Sequence, residues 1–492
     1  MNRLYLSVLV VVSLTLVSCE DYLSKLPSKG VNQPITEIEQ IEALLDNFGI
    51  FSIEGGNDIA AYITDDYEIS MDLYSSNPSK FPQSLLHYFI YDEQMIPKES
   101  SDPHWEGEYT KISNANIIIN NIKKVTGDDS VKEQLLAEAY FIRAYSYWTL
   151  VSTYCLPYSP KNFHEQGLPK KESINYDDDL TRVSLEEIYQ FIEQDLTKAA
   201  HINNRNIEKR WRLNKNAYHA FMSRFRLFKG EYKEAAKEAT LALEGKDVSL
   251  LNYATLKRGK PRIYSAPADT IPYCETNDYP DYRYLKWNEF YYTRFIRSFP
   301  NQWNIPGKSL LDLYDKENDY RFINFFMPNS NRRFAIKNIK TYGYTVFEEG
   351  AYLLSGPTIG EVLLNKAEAL CRMGIELDEA KGALFTLQSN RIKNVGYSKA
   401  DTPEKLLQEI LRERRRELPF SMRFYDIKRF SVNETAADDV EVSKQFYEVL
   451  SSSVNQKKIK TYTLPVGSRR YAFPINEIEI VNSNNQIKQN IY

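Results

Sequence analysis

Apolar residues recur along much of the chain at steps of three and four, the spacing that places side chains on one face of a helix. Leu136, Tyr140, Ala144, Tyr147, Val151 and Tyr154 predict a helix from about 131 to 155 that Pro157 ends. Ile112, Ala115, Ile119 and Ile122 predict a second helix over Thr110 to Val125, antiparallel to the first. Four helix starts carry a hydroxyl followed three residues later by a carboxylate: Thr36 with Glu39, Ser130 with Glu133, Ser184 with Glu187, and Thr358 with Glu361. At that spacing the two side chains satisfy amides that a helix N-terminus leaves free.

The same periodicity repeats at larger scale. Asn216 to Leu243 places Ala217 and Ala220 before a turn at Gly230, then Tyr232, Ala235, Ala239 and Ala242 after it. This resembles a tetratricopeptide unit, in which small residues let two helices pack closely. A looser copy runs from Glu361 to Leu387 with Ala367, Ala369, Gly374, Ala380 and Ala383 in comparable places. The expected scaffold is therefore mainly α, with stacked helix pairs near 110–155, 185–243 and 358–430 in one domain over 36–492. Between about 250 and 357 the period gives way to Pro, Gly, Asn and Tyr. Loops, short helices and a small hairpin near 334–347 are expected there, within the same domain, and so long an irregular stretch points to a functional surface.

The first residues are an export signal. Arg3 precedes the apolar run Val8 to Val12 with Leu14, Leu16 and Val17, a core shorter than the roughly 20 residues that span a bilayer. Leu16-Val17-Ser18-Cys19 resembles a bacterial lipobox, so residues 1–18 read as a lipoprotein signal peptide, Cys19 as the lipidated residue and 19–35 as the anchor and tether. Glu20 and Asp21 look like the surface-export signal of Bacteroidetes lipoproteins. The remaining cysteines, Cys155, Cys274 and Cys371, are odd in number and widely spaced, which fits neither a disulfide framework nor a metal site.

With 42% hydrophobic residues in 492, the chain can bury a large core without covalent staples. A net charge of −4 argues against nucleic acid as a partner, which would need basic surface to neutralise phosphates. The 36 tyrosines against 24 phenylalanines hint at a wet ligand surface, because tyrosine joins an apolar face to a hydroxyl.

Catalytic chemistry is sparse. His87, His104, His164, His201 and His219 show no metal-ligand spacing. Gly307-Lys308-Ser309 looks like the end of a phosphate loop, yet Gln302 stands where that loop requires glycine, so it reads as a turn. Asp65-Asp66 and Asp177-Asp178-Asp179 would serve glycoside hydrolysis only if two carboxyls faced each other across a cleft. Arg412 to Glu417 reads as a helix with Glu413–Arg416 and Arg414–Glu417 ion pairs, not as an RNA-binding segment.

Aromatics crowd two places. Tyr273, Tyr279, Tyr282, Tyr284, Trp287, Tyr291, Tyr292 and Trp303 lie in the irregular stretch; Tyr62, Tyr67, Tyr74, Tyr88 and Tyr91 precede the first helix pair. A sugar presents apolar C–H faces ringed by hydroxyls, which suits a flat aromatic beside Asn or Asp. Tyr282, Tyr284, Trp287 and Tyr74, with Asp281 and Asn288 as hydroxyl partners, are the candidate ligand contacts, whereas Trp105 reads as packing.

Ala137-Glu138-Ala139-Tyr140-Phe141-Ile142-Arg143-Ala144-Tyr145-Ser146-Tyr147 resembles the AEAxFLRAxxY helix of the SusD/RagB family, and Trp105 with Ala115-Asn116 resembles the helix before it. Glu413-Arg414-Arg415-Arg416-Glu417-Leu418, then Arg423 to Arg429, resembles its ERRxEL…RxxDLxR block. Phe473-Pro474-Ile475, Glu477-Ile478 and Gln489-Asn490 are similar to its closing motif, although Asn482-Ser483 replaces the usual Asn-Pro and Ile491 the final Pro-Gly. The resemblance implies a SusD-like fold without catalytic residues, cofactor or metal. It further implies a surface lipoprotein of the outer membrane that passes glycans to a SusC-type TonB-dependent transporter. Peptides, as in the RagB branch, are the alternative cargo; a lipid-anchored glycosidase is a third reading from another class.

Overall fold

The structure is a computed structural model that describes residues 35–92, 101–175, 178–203, 208–245, 248–258, 274–275, 288–297, 304–328, 341–344, 346 and 352–492. Cys19 and the tether up to residue 34 lie outside them.

Among the described residues, ten helices carry the scaffold: α1 (Ile38–Leu45), α2 (Pro103–Asn121), α3 (Asp129–Tyr154), α4 (Leu185–Ala199), α5 (Lys215–Phe228), α6 (Tyr232–Leu243), α7 (Ile359–Met373), α8 (Leu377–Ser389), α9 (Pro403–Glu417) and α10 (Arg423–Phe430). Shorter helical turns fill 48–89, 308–325 and 477–482. Two of the expected helix starts keep the hydroxyl half of the box: Ser184 accepts from the Glu187 amide at 3.1 Å, and Thr358 accepts from the Glu361 amide at 3.3 Å. The other two move. Asp128, not Ser130, caps α3, taking the amides of Ser130 and Val131 on one oxygen; a carboxylate also favours the positive end of the helix. Glu37 rather than Thr36 is the cap of α1, and Gln40 reaches back to both preceding amides.

α2 packs against α3 and α3 against α4, while α5, α6, α7 and α8 stack in order with α9 beside α7. The close approach of α5 and α6 rests on Ala217, Ala220, Ala235, Ala239 and Ala242, all buried, with the turn made by Gly230 at φ +76°. Ala367, Ala369, Ala380 and Ala383 play the same part in the α7–α8 pair, whose turn uses Gly374 at φ +66°. Both glycines occupy the left-handed region, where a Cβ is strained. α3 sits at the centre: Phe141, Tyr145 and Trp148 meet Phe221 of α5 in one aromatic cluster.

Among the described residues, β-structure is peripheral. β1 (Ile53–Gly55) runs parallel to β2 (Phe295–Arg297), which pairs antiparallel with β3 (Tyr352–Leu354). The hairpin expected near 334–347 lies mostly outside the described residues, which lack 329–340, 345 and 347–351; within them 342–344 pairs antiparallel with 326–328. A hairpin that the periodicity reading missed, β4 (Val442–Val449) and β5 (Val454–Leu464), turns Val442, Lys444 and Phe446 inward.

Among the described residues, many tyrosines belong to the core. Tyr67, Tyr91, Tyr145, Tyr147, Tyr154 and Tyr291 are among the largest fully buried side chains. Their hydroxyls are a reason to choose tyrosine over phenylalanine: Tyr145 Oη accepts from Arg224 at 2.9 Å and Tyr154 Oη donates to Asp102 at 2.5 Å.

Gly356, just before α7, tests how tightly the irregular chain is laid on the helices. A Cβ there would stand 2.0 Å from the Tyr292 carbonyl oxygen and 2.6 Å from the Arg294 nitrogen. Gly356→Ala is expected to lower the unfolding free energy by about 2–4 kcal/mol in urea titrations. Gly382→Ala, inside α8 with its nearest neighbour at 4.0 Å, should be neutral or stabilising.

Candidate functional site

The irregular chain is tied to the helices by arginines. Arg294, next to β2, donates to Glu54 at 3.0 Å and to Glu108 of α2 at 2.7 Å, and Lys111 donates to the same Glu108 oxygen at 2.7 Å. Arg391, beyond α8, donates to both oxygens of Glu289 at 2.8 and 3.0 Å and to Glu417 of α9 at 2.8 Å, with its guanidinium 3.6 Å from the Tyr253 ring centroid. Arg321 joins Asp319, Glu413 and Glu417. Arg224 of α5 holds Glu361 of α7 and the Ser355 carbonyl. Arg429 bridges Glu368 and Asp426, and Arg414 takes Asp426 and Asn365.

This arrangement revises one reading and supports another. Glu413–Arg416 forms along α9 as the spacing suggests. Arg414, however, turns to Asp426 and Asn365, while Glu417 serves Arg391 and Arg321, so these charges link elements instead of decorating one helix. Thr358–Glu361 is likewise only half a capping box, because the Glu361 carboxylate is taken by Arg224.

The carboxylates respond to their partners. Burial alone would raise Glu108 and Glu413, but Arg294 with Lys111, and Arg321 with Arg416, outweigh it and hold each at about 2. Asp65 is bound by both oxygens to Arg423, and Asp66 accepts from Arg415 at 2.7 Å and from the Phe420 amide at 2.9 Å. Neither faces a cleft partner as a hydrolytic pair would. Asp178 is hydrogen-bonded to Ser173, and Asp179 to the Thr181 amide.

His87 pairs with Asp92 and His219 with Glu238, and among the described residues no cluster of His, Cys, Asp and Glu is arranged to hold a metal. Gly307-Lys308-Ser309 begins a one-turn helix, with the Gly307 amide donating to the Asp66 carbonyl at 2.7 Å.

Asp281, Tyr282, Tyr284 and Trp287 lie outside the described residues, as do Tyr273, Tyr279 and Trp303. Their flanks are described. At one end 274–275 pairs antiparallel with 257–258. At the other, Asn288 is exposed in a turn whose carbonyl accepts from Ser249 at 3.2 Å, and Glu289 follows, buried and clamped by Arg391, the Leu251 amide and Tyr253. Glu289 is thus an ionic anchor, which the sequence reading did not identify.

Tyr74 is only 6% exposed and meets Phe81, Phe446 and Tyr447 with its ring. Tyr62, Tyr67, Tyr88, Tyr91, Tyr291 and Tyr292 are buried as well. Trp105, 4% exposed, packs against Tyr109 and Tyr154.

Two family models match, one described as "Starch-binding associating with outer membrane" over residues 21–227 and one as "SusD family" over 359–492. Together they take in more than half of the chain. The chain belongs to the SusD/RagB family. SusD/RagB proteins are non-catalytic binding proteins associated with the outer membrane.

A SusD-like protein, P25, of Formosa agariphila is 28% identical over 145 residues, and the match spans 27% of this chain and 27% of that protein. A solved SusD superfamily protein of Bacteroides thetaiotaomicron superposes with TM-score 0.64 at 18% identity, covering 93% of this chain and 100% of that one. A SusD-like carbohydrate binding protein of Bacteroides fragilis gives 0.62 at 16%, covering 92% and 98%. At such identities these likenesses establish the mainly helical SusD-like fold. No helix among the described residues is long and apolar enough to cross a membrane.

Arg391→Met would leave buried Glu289 without its cation and Glu417 with Arg321 alone, and is expected to cost about 3–5 kcal/mol in chemical unfolding. Glu108 and Glu413, held near 2 in the folded chain against 4.5 for the free group, stabilise it above about pH 4.5 and lose that contribution as the pH falls to about 2. Unfolding free energies measured from pH 6 to pH 2.5 should therefore decline below pH 4.5, by on the order of 3 kcal/mol for each group. Glu413→Gln should shallow that decline.

Proposed function

We propose that this SusD/RagB protein captures oligosaccharides or polysaccharides at the cell surface, held by lipid on Cys19, and delivers them to a SusC-type TonB-dependent transporter. The observation that carries the reading is the match of residues 21–227 to a family model described as starch-binding and associating with the outer membrane. The carbohydrate binding named for the Bacteroides fragilis structure, which shares the fold over almost its whole length, agrees with it. No cofactor enters the reading.

Within this proposal the contacts come from the segment that ends at Asn288. Tyr282, Tyr284 and Trp287 supply flat faces for sugar C–H surfaces, and Asp281 and Asn288 supply hydrogen-bond partners for hydroxyls. The exposure of Asn288 directly after that segment, and the anchoring of Glu289 behind it, support this placement. Tyr74 enters only as a packed ring whose hydroxyl could reach a ligand.

Binding of the mature chain to a panel of polysaccharides and oligopeptides tests the reading. One glycan class should be retained, and Trp287→Ala should weaken it roughly 5- to 150-fold, since losing one stacked aromatic contact costs about 1–3 kcal/mol. Tyr74→Phe should leave affinity unchanged unless its hydroxyl reaches the ligand. Retention of peptides alone would move the protein to the peptide-carrying branch, and product release from a bound glycan would favour a glycosidase. Copurification of a β-barrel transporter from detergent-solubilised membranes tests the partner.

A further inference from the structure

The three-stranded sheet has two unlike faces. Glu54, Ile296 and Leu353 stand side by side in register and are all buried, with Glu54 taken by Arg294. Side chains alternate along a strand, so the residues on either side of these three share the opposite face. There Ile53, Phe295 and Leu354 form one row, and Gly55, Arg297 and Tyr352 form the next. Phe295 is buried; Ile53, Gly55, Tyr352 and Leu354 are half-buried; Arg297 is exposed. This face is therefore apolar, partly open, and carries one guanidinium.

Arg297 differs from the arginines of the ionic frame. Arg143, Arg224, Arg294, Arg391, Arg414 and Arg429 each hold a carboxylate, whereas Arg297 makes no hydrogen bond or ion pair among the described residues. Arg412 shares that state, but it stands with exposed Lys405 and Gln408 on the polar side of α9, where an unpaired charge is simply hydrated. Arg297 has apolar neighbours instead. Glu54, the one carboxylate in the three strands, points to the other face and is committed to Arg294, so the sheet offers Arg297 no counter-charge.

The residues beside Arg297 leave room for a ligand. Gly55, its neighbour across the parallel pair, has no side chain, and a Cβ there would meet only Pro103 at the start of α2, at 3.7 and 3.9 Å. Tyr352, its neighbour across the antiparallel pair, has its ring set by Phe295, the centroids 6.0 Å apart and the planes at 67°. Paired strands lie about 4.8 Å apart, so the row from Gly55 to Tyr352 spans about 10 Å. It presents an open notch, an unpaired planar cation and a half-buried aromatic.

We propose that this row is a subsite for a uronate residue of a glycan, with the sugar ring against Tyr352 and its carboxylate on Arg297. The inference rests on the glycan reading and narrows its cargo to acidic glycans. A uronate pyranose has C–H groups that suit the Tyr352 ring and the half-buried Ile53 and Leu354. Its carboxyl is bonded directly to a ring carbon, which places the charge beside that C–H surface, and Arg297 stands one strand from Tyr352. The carboxylate is planar and matches the guanidinium fork, which donates two parallel hydrogen bonds to it. A neutral sugar would gain the apolar contact alone and leave the cation in water.

The test is titration calorimetry of the mature chain with tetrasaccharides of galacturonate, mannuronate and glucuronate-containing glycans, each paired with its carboxyl-reduced form. At least one uronate should bind at least roughly tenfold more tightly than its reduced counterpart, and the difference should shrink as sodium chloride rises from 50 to 500 mM. Arg297→Met, which removes no contact within the chain, should fold as the parent does by circular dichroism and weaken the uronate about 10- to 150-fold while leaving the reduced form unchanged. Arg297→Lys, a point charge without the fork, should retain part of the preference. Binding of neutral glycans with no gain from the carboxylate would overturn the inference and leave the glycan reading standing. A uronate preference that survives Arg297→Met, or tighter binding of a sulfated tetrasaccharide or of a tripeptide carboxylate than of any uronate, would overturn it as well. Binding of no carbohydrate at all would remove both readings.

Discussion

The structure depends on guanidinium groups buried against carboxylates. Taking either charge out of water costs several kcal/mol, so such pairs persist only where geometry and further hydrogen bonds repay the desolvation. Arg391 meets that condition by serving Glu289, Glu417, the Leu251 carbonyl and the face of Tyr253 at once. Arg294 does so through Glu54, Glu108 and the Phe51 carbonyl. Lysine would not substitute, because only the planar fork reaches partners in several directions. The pairs are directional, so they fix how segments without long ladders lie on the helices.

That division of labour follows the chain. Alanines on α5, α6, α7 and α8 let the helix pairs stack with little specificity beyond close approach. The three-stranded sheet is only three residues deep on each strand and could not hold 288–297 alone. The clamps at Glu289 and Arg294 do so, and they fall on either side of buried Phe290, Tyr291 and Tyr292. Asn288 therefore sits beside a fixed point.

Patterns confined to one element were legible in the sequence. Ser184 and Thr358 cap the helices they precede, the turns at Gly230 and Gly374 are where small-residue spacing put them, and Glu413 meets Arg416 three residues on. Choices between competing partners were not legible: Asp128 displaced nearby Ser130, and Arg414 found Asp426 on α10 instead of Glu417 on its own helix. The tyrosines misled for a related reason. A hydroxyl that bonds to a buried arginine, as Tyr145 does with Arg224, gives the same composition as a sugar platform. The β4–β5 hairpin had a signal in the alternation of Val442, Lys444 and Phe446, obscured because the middle inward residue is a lysine.

Hydrogen–deuterium exchange of the mature chain without ligand tests most directly whether the ionic frame is rigid by itself. Backbone amides of Tyr291, Thr293 and Phe295 donate to Pro357, Arg210 and Ser52, at 3.0, 2.8 and 2.8 Å. If the clamps at Glu289 and Arg294 hold this stretch to the scaffold, its amides will be protected to nearly the same degree as those of α3 and α7. Exchange at the rate of an unstructured loop, with α3 and α7 still protected, would contradict that account.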